Sequence, residues 1–452
     1  MFIDFLLERF DTFGQDDAIV YKDNCISYER LAGAIRHWKA RLEESNVPRG
    51  AVVSIEADFA PESIALLMAL IDRSCVVVPL SATLGEKKIR FKQLAEVEWE
   101  IALDSEGGSA IASSGIQASH SILQGLKSKS HPGLILFSSG STGESKAAVH
   151  DLVPLLEKFR TQRPALRSVA FLLFDHIGGF NTMMHMLSNR GCLITVQDRS
   201  PDAVCRSIAR HRAEVLPTSP TFINLILLSE AYKHHDLSSL KLVTYGTEVM
   251  PESTLQRFHV LFPDVRLQQT YGLSEVGILR SKSLSSDSLW VKIGGEGFQT
   301  RVVDGLLEIK AESAMLGYLN APSPFTEDGW FKTGDSVLVD GEFIRIMGRA
   351  SELINVGGLK VYPAQVESVI QLMPGVEDVA VVGAPNAITG QIVSARVLVD
   401  TGEDLATFRK RMREFCAGRL EPFMIPQRVV FADKEMHGDR FKKIRAGVAV
   451  KE

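Results

Sequence analysis

Between residues 51 and 80 the chain carries two short runs with no polar face, Ala51-Val-Val-Ser-Ile55 and Cys75-Val-Val-Val-Pro-Leu80. Successive side chains of a strand point to opposite faces, so a run that is apolar throughout must be covered on both. The segment between them, Pro61-Glu-Ser-Ile-Ala-Leu-Leu-Met-Ala-Leu70, reads as a helix with proline in its first turn. A second helical pattern follows Ile26-Ser-Tyr-Glu-Arg-Leu31 and extends through Trp38 and Leu42. Strands alternating with helices predict an α/β fold on parallel-type sheets covered by helices.

A later apolar run ends in a different way. In Leu134-Ile-Leu-Phe-Ser-Ser-Gly-Ser-Thr-Gly-Glu-Ser-Lys146 the strand pattern breaks into hydroxyl and glycine residues and then delivers one lysine. Gly140 and Gly143 let main-chain N–H groups converge on an anion without Cβ atoms in the way. Ser138, Ser139, Ser141 and Thr142 add hydroxyl donors and Lys146 adds charge, so the stretch reads as a phosphate cradle. The two glycines are three apart, which excludes the G-x-x-x-x-G-K-[ST] loop.

Composition narrows the function classes. A chain of 452 residues suggests roughly two to four structural units, and a net charge of −5 offers no electrostatic footprint for nucleic acid. Five cysteines, at 25, 75, 192, 205 and 416, form no C-x-x-C pair and read as reduced thiols. The N-terminal stretch carries charge within its apolar residues, and no apolar run reaches the roughly 20 residues a membrane span needs, so a cytoplasmic protein is expected.

Three further blocks carry chemistry. Gln269-Thr-Tyr-Gly-Leu-Ser-Glu275 joins a flat aromatic, a bare backbone position and a carboxylate of the kind Mg2+ prefers. Asp328-Gly-Trp-Phe-Lys-Thr-Gly-Asp335 ends on a carboxylate able to accept from two neighbouring hydroxyls. Arg349-Ala-Ser351 leads to Gly357-Gly358 and then to a small α+β pattern. That pattern has strands at Val379-Ala-Val-Val382 and Ser394-Ala-Arg-Val-Leu-Val399 and a helix over 405–418. Ala170-Phe-Leu-Leu-Phe174 reads as a strand running into Asp175-His-Ile-Gly-Gly-Phe180, the place where open α/β sheets seat ligands. His176 there fits a site residue or a hydrogen-bonded core histidine. Residues 105–121 read as an exposed connection and His234-His235 as a solvated helix end.

The Ser/Thr/Gly loop resembles the [ST]-S-G-[ST]-T-G-x-P-K element of the adenylate-forming superfamily, with Ser145 at the proline position. That superfamily includes acyl-CoA synthetases, nonribosomal adenylation domains and beetle luciferases. The other blocks resemble its Y-G-x-[ST]-E and W-[FY]-x-T-G-D motifs, and Phe441-Lys-Lys-Ile-Arg445 resembles its closing G-K-x-x-R with Phe441 in place of glycine.

The resemblance implies a domain over residues 1–350 that binds ATP and the acid, and a mobile domain over 351–452 hinged at Ser351. It implies a nucleotide site of Ser138, Ser139, Gly140, Ser141, Thr142, Gly143, Lys146, Gly246, Thr247, Glu248, Tyr271, Gly272, Ser274, Asp335 and Arg349. Glu275 would hold Mg2+, and Asp175, His176, Gly178, Gly179, Gly246 and Gly272 would line the acid site. Lys442, Glu275, Thr142 and His176 would form the catalytic group, with Lys442 preferred to Lys443 because Arg445 follows at the family's spacing. Gly357 and Gly358 would line the tunnel for a thiol.

The implied chemistry is ATP-dependent conversion of a carboxylic acid to an acyl-adenylate with release of pyrophosphate. Transfer to a thiol follows, on coenzyme A or on the phosphopantetheine of a separate carrier protein. The paired glycines after His176 would open space for an acyl chain, and with Met183, Met184 and Met186 on the helix beyond they favour a simple acyl or aryl acid. An amino-acid-activating enzyme would instead use Asp175 for the substrate ammonium. A non-catalytic nucleotide-binding homologue and an oxygenating luciferase share the same signatures.

Overall fold

The computed structural model describes residues 2–104, 108–139, 144–400, 402–433 and 436–445. Two seven-stranded sheets hold most of the first 320 residues. The first runs Arg266–Gln269, Leu242–Tyr245, Val215–Thr218, Arg167–Ala170, Cys192–Thr195, Asp17–Tyr21 and Asn24–Ser27. Only its last pair is antiparallel. The second runs Gly317–Tyr318, Ser145–Asp151, Gly133–Ser139, Val76–Leu80, Val52–Glu56, Trp99–Leu103 and Ser109–Ser113. It is parallel at the centre and antiparallel at both margins.

The apolar runs behave as their patterns require. Val76–Leu80 is buried at every position, and the helix Pro61–Asp72 is buried from Ser63 onward. Both seven-stranded sheets and their helices feed one continuous apolar cluster that includes Ile19, Trp38, Ile55, Leu67, Val77 and Leu134. Burying each large aliphatic side chain contributes about 1.5–3 kcal/mol, which offsets the backbone ordering of the strands. Ser27 starts the helix Tyr28–Glu44 by accepting the Arg30 N–H at 3.2 Å.

Three expectations need correction. The third sheet, Arg280–Ser283, Trp290–Gly294, Phe343–Arg349, Phe331–Asp340, Leu306–Ala311 and Phe298–Val303, is antiparallel throughout rather than parallel. Two of its strand pairs are joined by two-residue turns, one of them Asp304-Gly305 with φ of 52° and 76°, the geometry such a hairpin demands. The expected connection over 105–121 contains an edge strand, Ser109–Ser113. The strand expected over 170–174 ends at Ala170, beyond which the chain turns to meet the helix Ile177–Ser188.

The last sheet pairs Leu359–Val361, Ile354–Val356, Gly390–Val399 and Val376–Asn386, with Arg428–Phe431 alongside Gly390–Val399. The helices Pro363–Ile370 and Leu405–Cys416 bury Val366, Ile370, Phe408 and Met412 in its own apolar cluster.

Candidate active site

The phosphate-cradle stretch joins two antiparallel strands, Gly133–Ser139 and Ser145–Asp151, with Ser139 opposite Ser145. Gly140, Ser141, Thr142 and Gly143 lie outside the described residues. Beside their ends five expected or neighbouring groups converge. Glu275, buried, accepts a hydrogen bond from the Tyr318 hydroxyl at 2.7 Å and another from Ser138 Oγ at 3.5 Å. Lys146 Nζ stands 5.2 Å from the centre of the Tyr318 ring. Asn320 holds the carbonyl of Ser145 at 2.9 Å, a tie to the backbone at the position where proline is absent. Burial and the Glu275 charge raise the Tyr318 phenol above its ordinary range, so it stays a donor.

A second cluster forms at the junction of the third sheet with the loop after Gln269. Asp335 and Arg349 face each other across paired strands, Nε to Oδ1 2.8 Å, while the Tyr271 hydroxyl donates to Oδ2. Arg349 also donates to the Thr333 carbonyl at 2.8 Å. Burial raises the Asp335 carboxyl, and Arg349 and Tyr271 oppose that shift. Each carboxylate oxygen keeps a lone pair beyond these partners.

The tail brings a third group to the same region. Arg440 and Lys442 line a narrow cavity with Leu173, His176, Arg199 and Thr247. Burial pushes the Lys442 ammonium down to about 8, Arg440 and Arg349 acting in the same direction and Glu248 and Glu275 against it. Lys443 faces the other way. Its ammonium meets Asp378 at 3.1 Å and the Val379 carbonyl at 2.7 Å, and its backbone N–H donates to Glu248 at 3.0 Å. Arg445 grips the buried Glu367 through two bonds, of 3.0 and 2.7 Å, and reaches Glu352 at 3.1 Å. Residues 442–445 therefore split into one lysine facing the large sheets and a lysine–arginine pair anchored in the small one.

His176 caps the helix Ile177–Ser188, its Nδ1 accepting the Gly178 N–H at 3.0 Å. Burial, with Lys442 and Arg440 nearby, lowers its pKa well below the ordinary value, so the ring is neutral. Asp175 does not orient His176: its Oδ2 accepts from Ser81 at 2.9 Å and meets Arg440 at 3.4 Å. Gly178 and Gly179 do not open space for a ligand. A Cβ on Gly179 would lie 2.0 Å from the Leu173 carbonyl oxygen, and one on Gly178 would lie 2.6 Å from Leu172 Cδ1, so both admit the preceding loop. Met183, Met184 and Met186 all face the core.

Gly246 and Gly272 are likewise filled by neighbours, the Thr270 carbonyl at 2.7 Å and Gly277-Ile278 at 2.5–2.9 Å. Thr247 adopts φ of 74° at the cavity wall, and Glu248 accepts the Thr221 N–H at 2.8 Å. The Ser274 carbonyl meets the buried His150 ring nitrogen. Ser351 lies exposed in the short turn Ala350–Glu352, between the third and last sheets. Gly357 and Gly358, with φ of 59° and 91°, form the exposed turn of a hairpin, and the cavity at Lys442 does not include them.

Sequence reasoning missed Tyr318, Arg440, Arg199 and Ser81. The Gly317-Tyr318 pair and the serine directly after Val-Pro-Leu80 stand in the sequence, but nothing local marks a hydroxyl that meets a carboxylate 43 or 94 residues away. Among the described residues no three His, Cys, Asp or Glu side chains gather as a metal centre. Mg2+ bound through substrate phosphates needs only one or two protein carboxylates, and Glu275, flanked by hydroxyls of Ser138 and Tyr318, is a donor of that kind.

A large α/β body with a small α+β unit whose tail returns to it, carrying a tyrosine-held aspartate and an inward lysine, defines a class of enzyme with a large N-terminal and a small C-terminal part. The chain belongs to the AMP-binding enzyme family: that family's model matches residues 6–306, and the model of the AMP-binding enzyme C-terminal domain matches residues 365–442. It is 28% identical over 337 residues to 4-coumarate--CoA ligase-like 9 of Arabidopsis thaliana, covering 67% of this chain but only 59% of that protein. It is 25% identical over 477 residues to indoleacetate--CoA ligase of Aromatoleum aromaticum, covering 92% of this chain and 91% of the relative. Its fold matches the crystal structure of an anthranilate CoA ligase in complex with anthranoyl-AMP with a TM-score of 0.80 at 16% identity, over 98% and 95% of the two chains. No helix among the described residues is long and apolar enough to cross a membrane.

Proposed function

We propose that this chain is an AMP-forming acid–thiol ligase that joins an acyl or aryl carboxylic acid to a thiol in two steps. In the first, a carboxylate oxygen of the acid attacks the α-phosphorus of ATP, the bond to pyrophosphate breaks, and an acyl-adenylate forms. In the second, a thiol sulfur attacks the acyl carbon, AMP leaves, and the thiol proton passes to solvent or a base. The observation that carries this reading is the inward Lys442, brought by the small C-terminal unit to a cavity walled by His176 and Thr247. A cation there would neutralise charge shared between the acid and the α-phosphate, the kind of preorganised stabilisation that dominates such reactions.

Asp335 and Arg349 would hold the ribose, and Tyr271 offers a ring for the adenine. Glu275 would hold Mg2+, which when bound supplies charge neutralisation on the phosphates. Lys146 and the Ser/Thr/Gly stretch would hold the phosphates. We divide the chain at residues 350 and 351, with Ser351 as hinge, because the third sheet ends at Arg349 and the last begins at Ile354. The second step would follow a rotation there that brings Gly357-Gly358 to the site. Coenzyme A suits the names of the relatives, such as indoleacetate--CoA ligase. A carrier-protein pantetheine presents the same thiol.

An amino acid is disfavoured because the charge of Asp175, the residue available for its ammonium, is already faced by Arg440, which with Ser81 engages Oδ2 and leaves Oδ1 without a partner among the described residues. The test is an ATP–pyrophosphate exchange screen over aryl, fatty and amino acids. Exchange with at least one aryl or acyl acid, followed by thioester formation with coenzyme A or carrier pantetheine, is expected. Exchange confined to α-amino acids, or none with any acid, contradicts the reading.

A further inference from the structure

The position just before Lys442 is occupied by Phe441, whose backbone has φ of 48°. The left-handed region is costly for a bulky residue, and such a conformation persists only where its surroundings impose it. Here they do. The Phe441 ring lies 5.3 Å from Phe171 and, edge-on, 5.0 Å from Phe222, both fully buried in the body of the first sheet. His437 stacks on Phe441 from within the tail at 5.3 Å. The Arg199 guanidinium stands 5.4 Å from the ring centre and donates to the Asp439 carbonyl at 2.9 Å. The Ser219 hydroxyl donates to the Phe441 carbonyl at 2.6 Å. Arg440 and Lys442 line the cavity, while the ring between them enters the aromatic pair.

We infer that Phe441 is a positioning residue: an aromatic pin that fastens the tail to the large domain and thereby holds Lys442 in the cavity for the first half-reaction. This rests on the two-step reading above. Tail contacts such as the Lys443 N–H to Glu248 and the Arg440–Asp175 pair are polar. The ring is the tail's apolar contribution to the core of the other domain, and aromatic pairs in these geometries add attraction beyond the area they bury. Its withdrawal would precede the thiol step, so the pin favours adenylation at the expense of the change that follows.

Two measurements on Phe441→Gly and Phe441→Tyr in the full chain test this. Glycine relieves the backbone strain but removes the ring, and tyrosine keeps the ring. In Phe441→Gly, hydrogen exchange at the Lys443 and Ile444 amides should accelerate by at least about tenfold while amides in Val376–Asn386 keep their rates. Acid-dependent pyrophosphate exchange should lose at least about tenfold in kcat with the KM for ATP unchanged, and thiolysis of a supplied acyl-adenylate should hold its rate or rise. Phe441→Tyr should restore most of the loss. Unchanged tail amides in Phe441→Gly, or a parallel fall of both half-reactions, overturns the pin. Should the wild-type protein exchange pyrophosphate with no acid, the proposed function fails, and the amide rates alone then decide whether Phe441 fastens the tail.

Discussion

Single residues carry most of the chemistry, and their surroundings set its pH dependence. Lys442 shares a cavity with Arg440 and His176, and burial brings its pKa from an ordinary 10.5 to about 8. The charged form is the one that would stabilise the adenylation transition state, so it is present below that value and lost as pH rises through it. The free-enzyme profile, kcat/KM for ATP in pyrophosphate exchange, should therefore show a falling limb near pH 8. Lys442→Arg keeps its charge throughout and should remove that limb, at reduced rate. A limb appearing only above about pH 10 would assign the titration to an unperturbed lysine. The motifs around Tyr271, Glu275 and Asp335 were legible as motifs because residue type and spacing mark them, and the structure brings Tyr271 and Asp335 into contact. The roles of Ser81, Tyr318 and Arg440 were not, because a contact across 94, 43 or 265 residues leaves no local pattern.

At the scale of elements, what anchors the tail is the small sheet and its first helix. Glu367, on the helix Pro363–Ile370, is buried and accepts the Val381 N–H at 2.9 Å as well as the two Arg445 bonds. Burial raises its carboxyl, yet Arg445 and Lys443 outweigh that and hold it below the usual carboxylate range. Removing one member of a buried pair leaves an uncompensated charge, so Arg445→Ala should destabilise the C-terminal unit by about 3–5 kcal/mol. Hydrogen exchange in Val376–Asn386 checks this, and unchanged protection there would show the pair to be dispensable. The same scale explains the misread glycines. Gly178 and Gly179 looked like an opening after His176, whereas they admit the carbonyls and side chains of Leu172-Leu173 against the helix. A sequence shows that a side chain is missing without showing what fills its place. The antiparallel sheet was nearer to hand, since Asp304-Gly305 is a hairpin signal between two strand patterns.

For the molecule as a whole, the alternation of strand and helix patterns predicted parallel-type sheets covered by helices but neither their number nor their shared core, and the pattern after Gly358 with the family resemblance predicted a second, smaller unit. The way the units meet was beyond both, because docking depends on which side chains of residues 436–445 face the large sheets. In that tail the adjacent lysines point apart: Lys442 faces the cavity and Lys443 is tied to Asp378 and Val379. The central claim is that Lys442 serves the first half-reaction and not the second. The most direct measurement compares acid-dependent ATP–pyrophosphate exchange with thiolysis of a supplied acyl-adenylate in Lys442→Ala and Lys443→Ala. The account predicts that Lys442→Ala loses exchange by about 10²–10³-fold, the value of one charge-stabilising donor, with thiolysis nearly intact. Loss of exchange in Lys443→Ala with Lys442→Ala unaffected, or equal loss of both half-reactions in Lys442→Ala, would contradict it.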